Sequence, residues 1–124
     1  MIPSITISNA SDIPIYQQLF NQIAASILRG EMVGGECLPT IRSFAAELGI
    51  SVITVKRTWE ELERNGFIAT FPGKGCFVQK LSQAERIEMR DEIARGQIRR
   101  NLNFYKELGI SKAELLKLIG EEYL

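Results

Sequence analysis

The sequence predicts a mainly helical α+β fold, in which a winged helix-turn-helix is followed by a two-helix segment. Residues 38–59 have the pattern of two short amphipathic helices around a glycine turn, and residues 67–80 that of two short strands around a Pro-Gly turn. From residue 82 onward the pattern is helical again. We therefore predict a winged domain over residues 1–80 and a helical dimerisation tail over residues 81–124.

Composition is that of a small globular protein. The 124 residues are 45% hydrophobic and 24% charged, which fits one domain with an appendage. No apolar run approaches the roughly 20 residues that span a bilayer, and no signal-peptide pattern opens the chain, so we expect a cytoplasmic protein. Cys37 and Cys76 have no CxxC spacing and there is no histidine, so we expect no metal and no cofactor. Both thiols are interpreted as reduced core residues, with a redox switch as the minor alternative.

The first helix is predicted from a four-residue apolar repeat. Pro14 suits its first helical position, Asp12 favours the positive end of its dipole, and Arg29 with Gly30 marks its end. Residues 1–11 alternate between apolar and polar side chains and predict little. The apolar stripe consists of Ile15, Leu19, Ile23 and Ile27, widened by Tyr16, Phe20 and Ala24.

The helix-turn-helix is predicted from its caps. Pro39 ends a short predicted strand over residues 37–39 and directly precedes Thr40, the expected N-cap of the second helix, which Gly49 ends. Ser51 is the expected N-cap of the third helix, which runs to Arg64. The residues expected in the core are Ile41, Phe44, Ala45, Leu48, Val55, Trp59 and Leu62.

The wing is the hairpin predicted over residues 67–80. Its strands, 67–71 and 76–80, flank Pro72 and Gly73, which favour a type II turn because glycine accepts positive φ at the second central position. Lys74 follows at the tip. We therefore expect a small cationic projection.

The tail is predicted as two helices, each opened by a capping box at Ser82 or Ser111. Gly96 interrupts the first of them and predicts a kink or a close helix approach. Helices of this size must bury their apolar stripes against something, so we predict a dimer interface. Its residues are Ile87, Ala94, Ile98, Leu102, Tyr105, Leu108, Leu115, Leu118 and Ile119.

In a helix-turn-helix the second helix of the motif lies in the DNA major groove. Beyond that pattern, the sequence resembles the DNA-binding domain of the GntR family of bacterial transcription regulators. The motifs that carry the resemblance are Pro14-Ile-Tyr16, Leu38-Pro-Thr-Ile-Arg42, Ala45-Ala-Glu-Leu-Gly49, Thr54-Val55, Glu61-Leu62, Gly66-Phe-Ile68 and Gly73-Lys-Gly75. The short helical tail is similar to that of the YtrA subfamily.

The resemblance implies a transcription regulator and no enzyme. A YtrA-type tail implies dimerisation, and members of that subfamily often repress transporter operons. A two-fold dimer predicts a palindromic operator and a repressor that binds it as a homodimer; whether a small-molecule effector exists is left unknown. The candidate DNA-binding residues are Thr40, Arg42, Ser51, Val52, Ile53, Thr54, Lys56, Arg57, Gly73, Lys74 and Gly75.

The charge balance leaves a second interpretation open. Fifteen Lys and Arg residues balance fifteen Asp and Glu residues, whereas a DNA-binding domain is usually basic. The apolar pair Val52 and Ile53 begins the third helix and cannot hydrogen-bond to base edges. The alternative is therefore a protein-interaction module with this pair as its contact patch. Local pairing is a further alternative for the cations, with Arg42 facing Glu36 or Glu47, Lys56 facing Glu60, and Arg57 facing Glu61.

Overall fold

The computed structural model describes residues 2–123 and confirms the winged helix-turn-helix architecture. Contacts divide the chain between Arg86 and Ile87 into two compact units. The predicted boundary after residue 80 stays a prediction. The elements in chain order are α1 (Ile15–Leu28), α2 (Ile41–Leu48), α3 (Val52–Arg64), β1 (Ile68–Phe71), β2 (Gly75–Val78), α4 (Gln83–Glu107) and α5 (Lys112–Glu122).

The core of the first unit is centred on α3. Helices α1 and α2 and strand β1 all pack against α3. The rings of Phe44 and Trp59 join α2 to α3 at 5.2 Å between centroids, and Phe20 meets Phe67 at 5.8 Å. Trp59 is thus a core residue, as predicted. The predicted core positions Ile41 and Leu48 are only half-buried. They are the two ends of the short helix α2, whose buried residues are Phe44 and Ala45 in its middle. The fully buried large side chains include Leu19, Ile23, Ile27, Phe44, Val55, Leu62, Phe67 and Ile68.

The start of α1 differs from the prediction by one residue. Pro14 is the N-cap rather than the first helical residue, with ψ at 148°. Its carbonyl accepts the backbone N–H groups of Gln17 and Gln18, both at 3.0 Å. A cap position also needs no donor, so the missing proline N–H costs nothing there.

The segment before α1 contains no helix or strand over residues 2–13, and two glutamines of α1 bind it. The side chain of Gln18 accepts from the N–H of Ser8 and donates to its carbonyl, both at 2.9 Å. Gln22 does the same to Thr6, at 3.0 and 2.7 Å. Because the residues of α1 are four apart and those of the segment two apart, one helix face matches one edge of the segment.

The wing pairs Ile68 with Val78 and Phe71 with Gly75 in antiparallel register. The strands are shorter than predicted and begin or end within one or two residues of the expected positions. At the tip, the N–H of Lys74 donates to the carbonyl of Phe71 at 2.9 Å and Gly73 has φ of 78°, as a type II turn requires.

The predicted strand over residues 37–39 is reduced to a single bridge between Cys37 and Phe77. Pro39 explains the reduction, because it offers no N–H to continue a ladder. The interpretation of both cysteines as core residues was wrong, since Cys37 is exposed and Cys76 half-buried. Strand alternation turns their side chains to opposite faces, and the Cys76 Sγ lies 3.3 Å from Thr70 Oγ1 instead. A redox switch that joins the two thiols is incompatible with this pairing.

Helix α4 is assigned continuously through Gly96, so the glycine does not divide it, and the predicted kink stays a prediction. Among the described residues, a Cβ added at Gly96 would meet only the Arg100 guanidinium, at 3.8 Å, so the predicted close helix approach does not occur within this chain. Both predicted capping boxes are present. Ser82 and Glu85 exchange hydrogen bonds of 3.1 Å, and Ser111 with Glu114 does the same at 3.1 and 3.2 Å.

Candidate nucleic-acid interface

The third helix presents one buried and one exposed side. Val55, Thr58, Trp59 and Leu62 are buried, which fixes the helix against α1 and α2. The opposite side begins with Val52 and Ile53, which are 42% and 79% exposed. A long isoleucine that is this exposed at the start of α3 is available for contact with another molecule.

The N-terminus of α3 is capped as predicted. The backbone N–H of Thr54 donates to Ser51 Oγ at 3.1 Å, and the hydroxyls of Ser51 and Thr54 are 2.8 Å apart. The cap occupies one N–H of the first turn and leaves the positive end of the helix dipole exposed with Ser51. Such an end can accept a phosphate.

Among the described residues, the two adjacent cations of α3 form no ion pair with the acids that follow them. The predicted alternative of Lys56 with Glu60 and Arg57 with Glu61 is wrong, since neither ion pair occurs among the described residues. Glu61 binds Arg64 instead. The Arg57 guanidinium lies over the ring of Tyr16 on α1, 3.6 Å from its centroid.

The second helix contributes one exposed cation near its start. Thr40 caps α2 by accepting the Ser43 N–H at 3.1 Å, as predicted. Arg42 is exposed and makes no ion pair within residues 2–123, so the predicted alternative of a local pair is not found. Its guanidinium is free for an external anion.

The wing presents Lys74 at an exposed tip, between Gly73 and Gly75. The hairpin is tied to the loop before α2 by three backbone hydrogen bonds, from Gly35 N–H to the Val78 carbonyl at 2.8 Å, from Leu38 N–H to the Cys76 carbonyl at 2.9 Å and from Val78 N–H to the Glu36 carbonyl at 2.8 Å. At its other edge, the Glu63 carboxylate of α3 accepts the Thr70 N–H at 3.2 Å. Strand β1 is therefore tied to α3, and β2 is tied to the loop that precedes α2.

The predicted dimerisation residues lie on α4 and α5, apart from Leu108, which directly follows α4. Leu102, Tyr105 and Leu115 are half-buried, and the other six are exposed. No residue of either helix is buried within the described chain.

Sequence analysis missed three features of α1 and α3: the role of Tyr16, the role of Thr58 and the glutamine pair of α1. Tyr16 was predicted only as part of an apolar stripe, and Thr58 was not singled out. The buried Thr58 hydroxyl donates to the Thr54 carbonyl at 3.0 Å and lies 3.3 Å from the Tyr16 carbonyl. The glutamine pair on α1 gave no sequence signal, because its partner is backbone.

Comparison with known proteins decides the family. The model of the bacterial regulatory proteins, gntR family, matches residues 15–78. The chain belongs to the GntR family. It is 34% identical over 105 residues to the HTH-type transcriptional regulator YhcF of Bacillus subtilis, which is 84% of this chain and 85% of that protein.

Two further similarities point to the YtrA type of GntR regulator. The HTH-type transcriptional repressor YtrA of Bacillus subtilis is 28% identical over 117 residues, 94% of this chain and 90% of that protein. The solved structure of YtrA from Sulfolobus acidocaldarius superposes with a TM-score of 0.58 at 32% identity, covering 94% of both chains. This GntR member is therefore a helix-turn-helix transcription regulator and not an enzyme. Within residues 2–123, no helix is both long and apolar enough to cross a membrane.

Proposed function

We propose that this GntR regulator is a homodimeric repressor that binds a palindromic DNA operator. A set of exposed cations on α2, α3 and the wing tip that form no ion pair among the described residues is the observation that supports it. The cations are Arg42, Lys56, Arg57 and Lys74. In a chain of zero net charge, phosphate binding depends on such a local set.

Each element has a distinct part in the proposed complex. Helix α3 enters the major groove, where Val52 and Ile53 contact thymine methyl groups but read no base by hydrogen bonds. Sequence specificity then depends more on DNA shape and half-site spacing than on hydrogen bonds to the bases. Two further groups approach the DNA sugar-phosphate backbone. They are the hydroxyls of Thr40, Ser51 and Thr54, and the wing residues Gly73, Lys74 and Gly75.

The tail is proposed to set the distance between two half-sites. Its exposed apolar side chains on α4 and α5 need a cover, and a second copy of the chain provides an identical one. A repressor is proposed because the Bacillus subtilis YtrA is named as one, and a transporter operon because the YtrA subfamily often represses such operons. A regulator of bacterial genes acts beside the chromosome, so we propose the cytoplasm.

The test begins with selection of bound sequences from a random duplex library. The full chain should then prefer the selected palindrome over a scrambled duplex in a gel shift. Lys56→Ala with Arg57→Ala should weaken binding and lower the salt slope by about two units of log Kd per log salt concentration, if each residue contacts one phosphate.

The matched control removes two cations from the tail, Lys112→Ala with Lys117→Ala, and should leave both quantities unchanged. An unchanged Kd and slope in the α3 double variant would refute the recognition surface. Equal binding of palindrome and scrambled duplex would favour the protein-interaction module, with exposed Ile53 as its contact.

A further inference from the structure

The aromatic ring of Tyr16 and the guanidinium of Arg57 form a contact between α1 and the exposed side of α3. The Arg57 Cζ is 3.6 Å from the ring centroid, which is well within the range of a cation–π interaction. Tyr16 is half-buried whereas Arg57 is exposed. The ring therefore provides a fixed platform, and the charge remains accessible to an anion.

A second contact holds this platform in register with α3. The hydroxyl of Thr58, the residue after Arg57, donates to the Thr54 carbonyl and lies 3.3 Å from the Tyr16 carbonyl. Thr58 is fully buried. The backbone of Tyr16 is thus located next to α3 independently of its ring, so that loss of the ring need not displace α1.

This geometry separates the neighbouring cations Lys56 and Arg57. Successive helical residues are about 100° apart, so the two side chains diverge. Arg57 leans toward α1, where it meets Tyr16. Lys56 lies on the side of Trp59, which meets Phe44 of α2. The Arg57 guanidinium is therefore held on the α1 side, whereas Lys56 is on the side of Trp59.

We propose that Tyr16 is a positioning residue for DNA binding, whose ring holds the Arg57 guanidinium at the α1 edge of α3 to bind a backbone phosphate. The inference rests on the proposed DNA-binding function. A guanidinium stacked by its face keeps its in-plane N–H groups free for a bidentate contact with phosphate oxygens. A side chain already held in place also loses less rotamer freedom on binding. A phosphate is proposed as the target because the Arg57 guanidinium is held against Tyr16 of α1, to one side of α3.

A double-mutant cycle on the full chain tests this role, with the duplex selected from the random library as the probe. Tyr16→Leu should weaken binding by roughly two- to fivefold, which is the range of an exposed cation–π contact. Tyr16→Phe keeps the ring and should bind like the wild type. Tyr16→Leu should have no further effect in an Arg57→Gln background, because the residue acts through Arg57. The loss should be equal on selected and scrambled duplexes, as expected for a phosphate contact.

A second variant covers the case in which Tyr16→Leu does not fold. Arg57→Lys keeps the charge but not the planar stack, and should lose about as much affinity as Tyr16→Leu. Thermal midpoints are measured beside every Kd, so that a loss caused by unfolding is recognised.

The outcomes separate the positioning role from its rivals. If Tyr16→Phe loses as much affinity as Tyr16→Leu, the phenol hydroxyl contacts DNA itself and the positioning role is wrong. If Tyr16→Leu is as harmful in the Arg57→Gln background as alone, the coupling is absent and the role is equally wrong. A wild-type chain that binds no duplex refutes the proposed function first and this role with it, whereas normal binding without coupling refutes this role alone.

Discussion

The two units of the chain differ in what covers their apolar side chains. Up to Arg86, residues such as Leu19, Phe44 and Phe67 are completely or almost completely buried by their own chain. From Ile87 onward no helical residue is buried, and Ile98 is 54% exposed. Both units contain amphipathic helices, but only the first contains the elements that complete a core. A segment can therefore form helices without forming a core. The second unit forms helices, but its own residues do not form a core.

The largest expected effect comes from a core deletion in the first unit. Phe44→Ala removes a buried ring that packs on Trp59, and should lower the free energy of unfolding by about 3–5 kcal/mol. Denaturant unfolding followed by Trp59 fluorescence measures it.

The matched control is Val33→Ala, which removes an exposed side chain of the same unit and should change stability by less than about 0.5 kcal/mol. If Phe44→Ala has as little effect as this control, the self-sufficient core assigned to the first unit is wrong.

A charge on the tail tests whether a second copy covers it. Ile98→Glu should raise the dimer dissociation constant by roughly tenfold or more, because an interface would have to bury an unpaired carboxylate. Sedimentation equilibrium of the full chain measures the constant. Asn103→Glu adds the same charge at an exposed, polar position of α4, about 140° around the helix from Ile98 and off the predicted interface, and should have little effect. A chain that is monomeric before any substitution would contradict the proposed dimer.

The same comparison explains which features could be predicted from the sequence. The caps at Thr40 and Ser51 and the turn at Gly73 were predicted correctly, because their partners are within three residues along the chain. The contact between Thr58 and Tyr16 joins residues 42 positions apart and depends on how α1 packs on α3. No periodicity encodes such a contact.

Two predictions from local sequence patterns, at Cys37 and at Gly96, were wrong. Cys37 was interpreted as a core residue on a short strand of the winged fold, but this strand is a single bridge and the residue is exposed. The interruption of the first tail helix at Gly96 was predicted from the low helix propensity of glycine. A helix of 25 residues tolerates this cost, which is about 1 kcal/mol.

A smaller effect is expected from the cap of the recognition helix. Ser51→Ala should destabilise the first unit by about 1 kcal/mol, because the Thr54 N–H loses its acceptor. Ser51→Gly should cost only a few tenths of a kcal/mol, since glycine is itself a tolerated N-cap. Thermal unfolding compares the two variants. An unchanged thermal midpoint in Ser51→Ala would mean that the hydroxyl contributes little and that the cap seen at α3 does not stabilise it.

The smallest effect concerns the protonation of the tail helix caps. Hydrogen bonds from the Ser111 backbone N–H and side chain lower the pKa of Glu114, and Ser82 lowers that of Glu85 in the same way. A carboxylate with a lowered folded-state pKa stabilises the helix above its unfolded pKa, and this contribution is lost as the pH falls through the folded pKa. NMR titration of the full chain should therefore find both pKa values below the ordinary glutamate value. Ser111→Ala should raise the Glu114 pKa and leave that of Glu85 unchanged, because each cap is local to its own helix. If both values shift together, the caps are coupled and do not act as two separate helix starts.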